Sequence, residues 1–70
     1  MTIKEFLEER LEYGGFKRQY ELGMKLGISS GMLSKYLSGH TKIIGLEKAR
    51  ELYKRYNVEL YPYSKEALND

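Results

Sequence analysis

Gln19-Tyr20-Glu21-Leu22-Gly23-Met24-Lys25-Leu26-Gly27-Ile28-Ser29-Ser30-Gly31-Met32-Leu33-Ser34-Lys35-Tyr36-Leu37-Ser38 is the stretch whose reading decides the fold. Its apolar residues recur at helical spacing on both sides of Gly27: Leu22 and Leu26 before it, Leu33, Tyr36 and Leu37 after it. Ile28 points inward from between them. Gly27 supplies the positive φ that a sharp reversal needs, and Ser29 is a natural N-cap, able to accept a backbone N–H that the first helical turn leaves unpaired. The stretch therefore predicts two short helices, the first from about Arg18 to Leu26 and the second capped by Ser29 and closed by Ser38-Gly39, joined by a tight turn. Gly23 is small where the first helix passes close over the second, so a large side chain there would force the pair apart.

Upstream, Thr2 followed three residues later by Glu5 forms a capping box, and Ile3, Phe6, Leu7 and Leu11 then trace one helical face. Gly14-Gly15 ends that helix, and Phe16 packs down as the chain re-enters the core. Downstream, Ile43 or Ile44 anchors the loop of residues 40–45, because two adjacent exposed isoleucines are unfavourable. A further helix runs from about Leu46 to Tyr56 on the stripe Leu46, Ala49, Leu52, Tyr53 and Tyr56, with Asn57 as a left-handed cap. In the tail, Val58, Leu60 and Pro62 alternate with Glu59 and Tyr61, which fits a short extended segment, and Ser64 to Leu68 has room for one helical turn. The expected architecture is a single all-α domain over residues 1–70, compact and of four to five helices, with a short extended or irregular tail from 58 to 70.

Seventy residues without cysteine and with one histidine, His40, leave neither a disulfide nor a metal to brace the fold, so packed helices must do it. No long apolar run provides a membrane span or a secretory segment, and the missing cysteines fit a reducing compartment; the expectation is a soluble, cytoplasmic protein. No phosphate-cradling glycine loop, metal-ligand cluster or catalytic carboxylate pair can be assembled, so no enzyme, cofactor, metal or small-molecule substrate is expected. Net charge is only +2, but it is unevenly spread: Lys17, Arg18, Lys25, Lys35 and Lys42 face only Glu21 across residues 17–42, while both ends of the chain are acidic. A basic stripe on a balanced surface is what a phosphate-facing footprint requires, although lysines also simply solvate helix faces.

Gln19, the spacing of Leu22, Gly23, Gly27 and Ile28, the run Leu33-Ser34-Lys35-Tyr36-Leu37-Ser38-Gly39 and a following helix with Leu46, Ala49 and Asn57-Val58 together resemble the lambda-repressor-like helix-turn-helix family. That family includes phage repressors, Cro proteins and small bacterial regulators, and the resemblance covers about residues 3–58. Alanine is usual in the family at the position of Gly23, and a proline is common in the loop where this chain has Ile43-Ile44. The tail after Val58 has no clear counterpart.

The resemblance implies a sequence-specific regulator of transcription, a Cro-like repressor binding a palindromic operator in double-stranded DNA as a homodimer. It makes the second helix of the pair the recognition helix, whose exposed side enters the major groove. The base-contacting candidates are then Ser30, Gly31, Ser34 and Lys35, with Lys35 donating to guanine and Gly31 letting backbones approach closely; Met32 reaches a thymine methyl or fills a gap in the core. The phosphate-contacting candidates are Lys17, Arg18 and Gln19 around the start of the preceding helix, and Thr41 and Lys42 after the recognition helix, with His40 weaker. Lys17 and Lys42 also read as solvated surface lysines, and for Lys25 and Lys48 that reading is preferred. Seven tyrosines, four of them in the last third, either finish a small core or pair two copies through Leu60, Tyr61, Tyr63 and Leu68. The alternative function is an antitoxin or other module that uses the same fold to dock a partner protein.

Overall fold

Thr2 starts the first helix, α1 (Ile3–Tyr13): its Oγ1 accepts from the Glu5 N–H at 3.1 Å while the Glu5 carboxylate accepts from the Thr2 N–H at 2.9 Å. The Thr2 backbone N–H, with the Thr2 side chain adding to it, holds the Glu5 carboxyl below the usual carboxylate range. The computed structural model describes residues 1–65. The described residues form four helices: α1, α2 (Gln19–Leu26), α3 (Ser30–Ser38) and α4 (Leu46–Tyr56). Two two-residue strands, β1 (Ile44–Gly45) and β2 (Tyr63–Ser64), pair in parallel, Ile44 opposite Tyr63.

Each helix drives its apolar stripe into one shared core. Ile3, Phe6 and Leu7 come from α1, Leu22 and Leu26 from α2, Leu33 and Tyr36 from α3, and Ala49 and Leu52 from α4. Ile28 closes the turn between α2 and α3 from inside. At the α1–α4 seam Phe6 meets Tyr56 edge-on at 5.5 Å, and the Arg10 guanidinium lies over both rings at 5.8 and 5.7 Å. The tyrosine stripe on α4 divides: Tyr56 is half-buried, whereas Tyr53 faces outward.

Glycine is required on the core side of α2. A Cβ on Gly23 would lie 2.7 Å from the Ile28 carbonyl oxygen and 3.3 Å from Leu33 Cδ2, and the Gly23 carbonyl itself accepts from the Ile28 N–H at 2.9 Å. The turn is thus folded against the helix backbone more closely than an alanine allows. Gly27 takes φ 70° and Asn57 φ 55°, the left-handed caps that close α2 and α4.

The C-terminal end of α2 is held from across the molecule. Lys48 of α4 donates to the carbonyls of Leu26 and Gly27, both at 3.1 Å, and to the Glu51 carboxylate at 2.9 Å, leaving its side chain 13% exposed. That hydrogen bond holds the Glu51 carboxyl low. Arg55 donates to the Lys25 carbonyl at 3.2 Å. Two cations therefore sit at the negative end of the α2 dipole and occupy carbonyls that α2 leaves open. Lys48 is a tertiary cap and not the solvated lysine its sequence position had implied.

The segment after α4 is stitched to the rest of the fold along both edges. On one side Met1 N donates to the Glu59 carbonyl at 2.9 Å and Tyr61 N donates to the Met1 carbonyl at 3.1 Å; on the other, Ile44 N donates to the Pro62 carbonyl at 3.2 Å. Leu60, between these rows, is 4% exposed and belongs to the core. Of the two loop isoleucines, Ile44 is the anchor at 0% exposure and Ile43 stands out at 45%. The extended reading of the tail agrees with this arrangement, and its pairing with β1 adds one short strand bridge to the all-α domain. Ser64 lies in β2, so no helical turn begins there, and the rest of that expected turn lies outside the described residues.

Candidate nucleic-acid interface

The outer side of α3 is made of short polar residues and one cation. Ser30, Gly31, Ser34 and Lys35 are all exposed and share one helical face, while Leu33 and Tyr36 anchor the opposite face. Among the described residues, neither the Ser30 and Ser34 hydroxyls nor the Lys35 ammonium has a hydrogen-bond or ion-pair partner. Met32 is half-buried against the core, which favours its gap-filling role over a contact with a base. Ser29 caps the helix through Oγ, which accepts from the Met32 N–H at 3.3 Å.

Gly31 contrasts with Gly23. A Cβ on Gly31 would meet nothing within 4 Å, and its φ lies outside the left-handed region. Neither packing nor backbone geometry within the chain calls for glycine there, and in a helix glycine is roughly 1 kcal/mol less favourable than alanine.

Exposed cations lie before α2 and after α3 in the chain. At the start of α2, Lys17, Arg18 and Gln19 are exposed; Arg18 occupies the N-cap in an extended conformation and makes no side-chain capping bond. A cation at the positive end of a helix dipole, beside N–H groups without a side-chain cap, is an arrangement that an anion would relieve. At the other end of α3, the Lys35 carbonyl accepts from Thr41 N at 3.2 Å and from Ser38 Oγ at 3.1 Å, while Ser38 Oγ accepts from His40 N at 3.3 Å. These bonds fold the loop back on the helix, fixing half-buried Thr41 and placing exposed Lys42 beside it. Lys25 is elsewhere engaged, its ammonium 5.7 Å from the centre of the Phe16 ring, as suits a lysine with a surface role.

One cation on this side was not legible as part of the set. Lys4, in the acidic first segment of the chain, brings its Nζ to 4.0 Å from where a Gly39 Cβ would stand, next to the loop that carries Thr41 and Lys42. Charge counted along the chain assigns it to the wrong neighbours; only the packing of α1 against α3 reveals the right ones.

The residues expected to pair two copies separate. Leu60 packs into the core of its own chain and borders the groove described next, and Leu68 lies outside the described residues. Tyr61 and Tyr63 are exposed and, with Tyr53 and Arg50 of α4, line a groove of about 370 Å³. No group of three or more potential metal-ligating side chains occurs among the described residues, and no described helix is long and apolar enough to cross a membrane. No family model, no curated protein and no solved structure matches the chain.

Proposed function

We propose that this chain is a lambda-repressor-like helix-turn-helix protein that binds double-stranded DNA sequence-specifically, with α3 in the major groove, and acts as a small repressor of transcription. The observation that carries this reading is Gly31: a helical glycine in open space, on the one face of α3 that has free hydroxyls and a free ammonium. Close approach of a second backbone is the ordinary reason for such a glycine. Two copies on a palindromic operator, joined through the groove of Tyr53, Tyr61 and Tyr63, would extend the few base pairs that one copy reads. The same aromatic groove is the feature that favours the second reading, a docked partner protein.

Selection of preferred sites from a random duplex pool tests the proposal, since it reports motif, symmetry and half-site spacing together. Enrichment of a short motif supports it, and failure to enrich any duplex removes it. Two variants then divide the roles. Lys35→Ala is expected to relax preference at one base position, at a cost of roughly 1–3 kcal/mol in discrimination, whereas Lys42→Ala should weaken all sequences alike and flatten the salt dependence by about one contact. Titration of matched and scrambled duplexes at several salt concentrations distinguishes them.

Gly31→Ala is expected to move stability and binding in opposite directions. Helix propensity adds roughly 0.5–1 kcal/mol, a rise in Tm of about 4 °C in a domain of this size, because the new methyl meets no atom of the protein. Affinity for the selected duplex should fall, because that methyl then stands in the groove. A variant that is both more stable and an equally good binder would remove Gly31 from the interface.

A further inference from the structure

A cleft of about 280 Å³ opens between the first turn of α1 and the loop after α3. Tyr36 and Gly39 form part of its walls, and Thr2, Lys4, Thr41 and Lys42 also line it. Both lysines are exposed, and among the described residues neither has an ion-pair partner. Two like charges bordering one cleft repel, and Lys4 also stands in the first turn of α1, where the positive end of the helix dipole disfavours a cation. Carbonyls at the end of α3 offer limited relief: that of Lys35 is taken by Thr41 N and Ser38 Oγ, and that of Tyr36 by Gly39 N. An anion seated here would cancel each of these costs, and the largely apolar walls would strengthen its attraction to the two ammonium groups.

We propose that this cleft is the seat of a single backbone phosphate of DNA, gripped jointly by Lys4 and Lys42 with the Thr41 hydroxyl as a further donor. The proposal rests on the DNA-binding reading above and adds α1 to the interface. A phosphodiester is the occupant the position favours, because Thr41 and Lys42 belong to a loop folded directly onto the end of α3. A helix lying in the major groove carries its flanking loop to the phosphate run at the groove edge. The seat fixes register and affinity without reading sequence.

The test uses the full chain and the duplex enriched by site selection, in three arms. Lys4→Gln should raise Tm slightly, weaken matched and scrambled duplexes alike, and shrink the affinity ratio between 50 and 200 mM salt by about threefold, the effect of losing one phosphate contact. Lys4→Arg should restore most of the binding. A scan of methylphosphonate linkages, each removing one phosphate charge, should then find one position at which the wild type loses affinity and at which neither Lys4→Gln nor Lys42→Ala causes further loss. Lys4→Gln binding like the wild type at every salt concentration would overturn the inference and leave Lys4 a solvated lysine. Insensitivity of the two variants at two different linkages would also overturn it, since the lysines would then hold separate phosphates. In both cases DNA binding itself stands; only failure to bind any duplex removes the underlying reading.

Discussion

A Gly23→Val chain is expected to lose about 3 kcal/mol of stability, a large share of the roughly 4–10 kcal/mol that holds a domain of this length together. The reason lies in what the new carbon meets. Its Cβ would fall 2.7 Å from the Ile28 carbonyl oxygen, a backbone atom that cannot swing aside, and 3.3 Å from Leu33 Cδ2, with two further methyls crowding the same wall. Relief requires the turn to move away from α2, which stretches the bond from Ile28 N to the Gly23 carbonyl and loosens the seat of α3. Gly23→Ala isolates the contact from the helix: propensity alone would make it stabilising by about 1 kcal/mol, so a net loss measures the close approach directly. Urea unfolding followed by circular dichroism gives both numbers. A Gly23→Val chain as stable as the wild type would mean that the turn does not lie against α2 as described.

The second large effect is expected at Leu60. Leu60→Ala should cost about 2–5 kcal/mol, the range for emptying a fully buried leucine site. The loss should be the same at every protein concentration, because Leu60 packs inside its own chain. A contact between copies would instead make the gap between Leu60→Ala and the wild type widen with concentration, since mass action would then stabilise the wild type more than the variant. Unfolding curves at micromolar and at hundredfold higher protein therefore decide between the two placements. Tyr61→Ala, whose side chain is exposed, serves as the contrast: little loss of stability, and any effect confined to association.

The helices were legible because their signals are local. The Thr2–Glu5 box, the Ser29 cap, the Gly27 reversal and the apolar stripe from Leu46 to Leu52 each depend on residues a few positions apart, and each corresponds to an element that the structure contains. The exposed face of α3 was equally accessible, since helical spacing alone puts Ser30, Gly31, Ser34 and Lys35 together. What escaped depends on distant partners. Two-residue strands carry no alternation to read, so the bridge between Ile44 and Tyr63 could not be anticipated. Alternation in the tail marked Leu60 as inward-facing without saying whose interior it would enter. Lys48 looks in sequence like any surface lysine of a helix and becomes a cap only because α4 lies beside the end of α2. Lys4 was masked by the glutamates that follow it in the chain, while its ammonium comes close to Gly39 of a distant segment.

The double stitching of the tail also divides the molecule by how far apart in sequence its contacts lie. The turn that presents α3 is closed by bonds such as Ile28 N to the Gly23 carbonyl, whereas the bond from Met1 N to the Glu59 carbonyl spans 58 positions. Closing a long loop costs more chain entropy than closing a short one, and contacts that cost more entropy are made later. The turn that presents α3 is thus closed by cheap, early contacts, and the tyrosine groove, lined in part by residues 58–63, takes its final shape only when the two ends of the described chain meet.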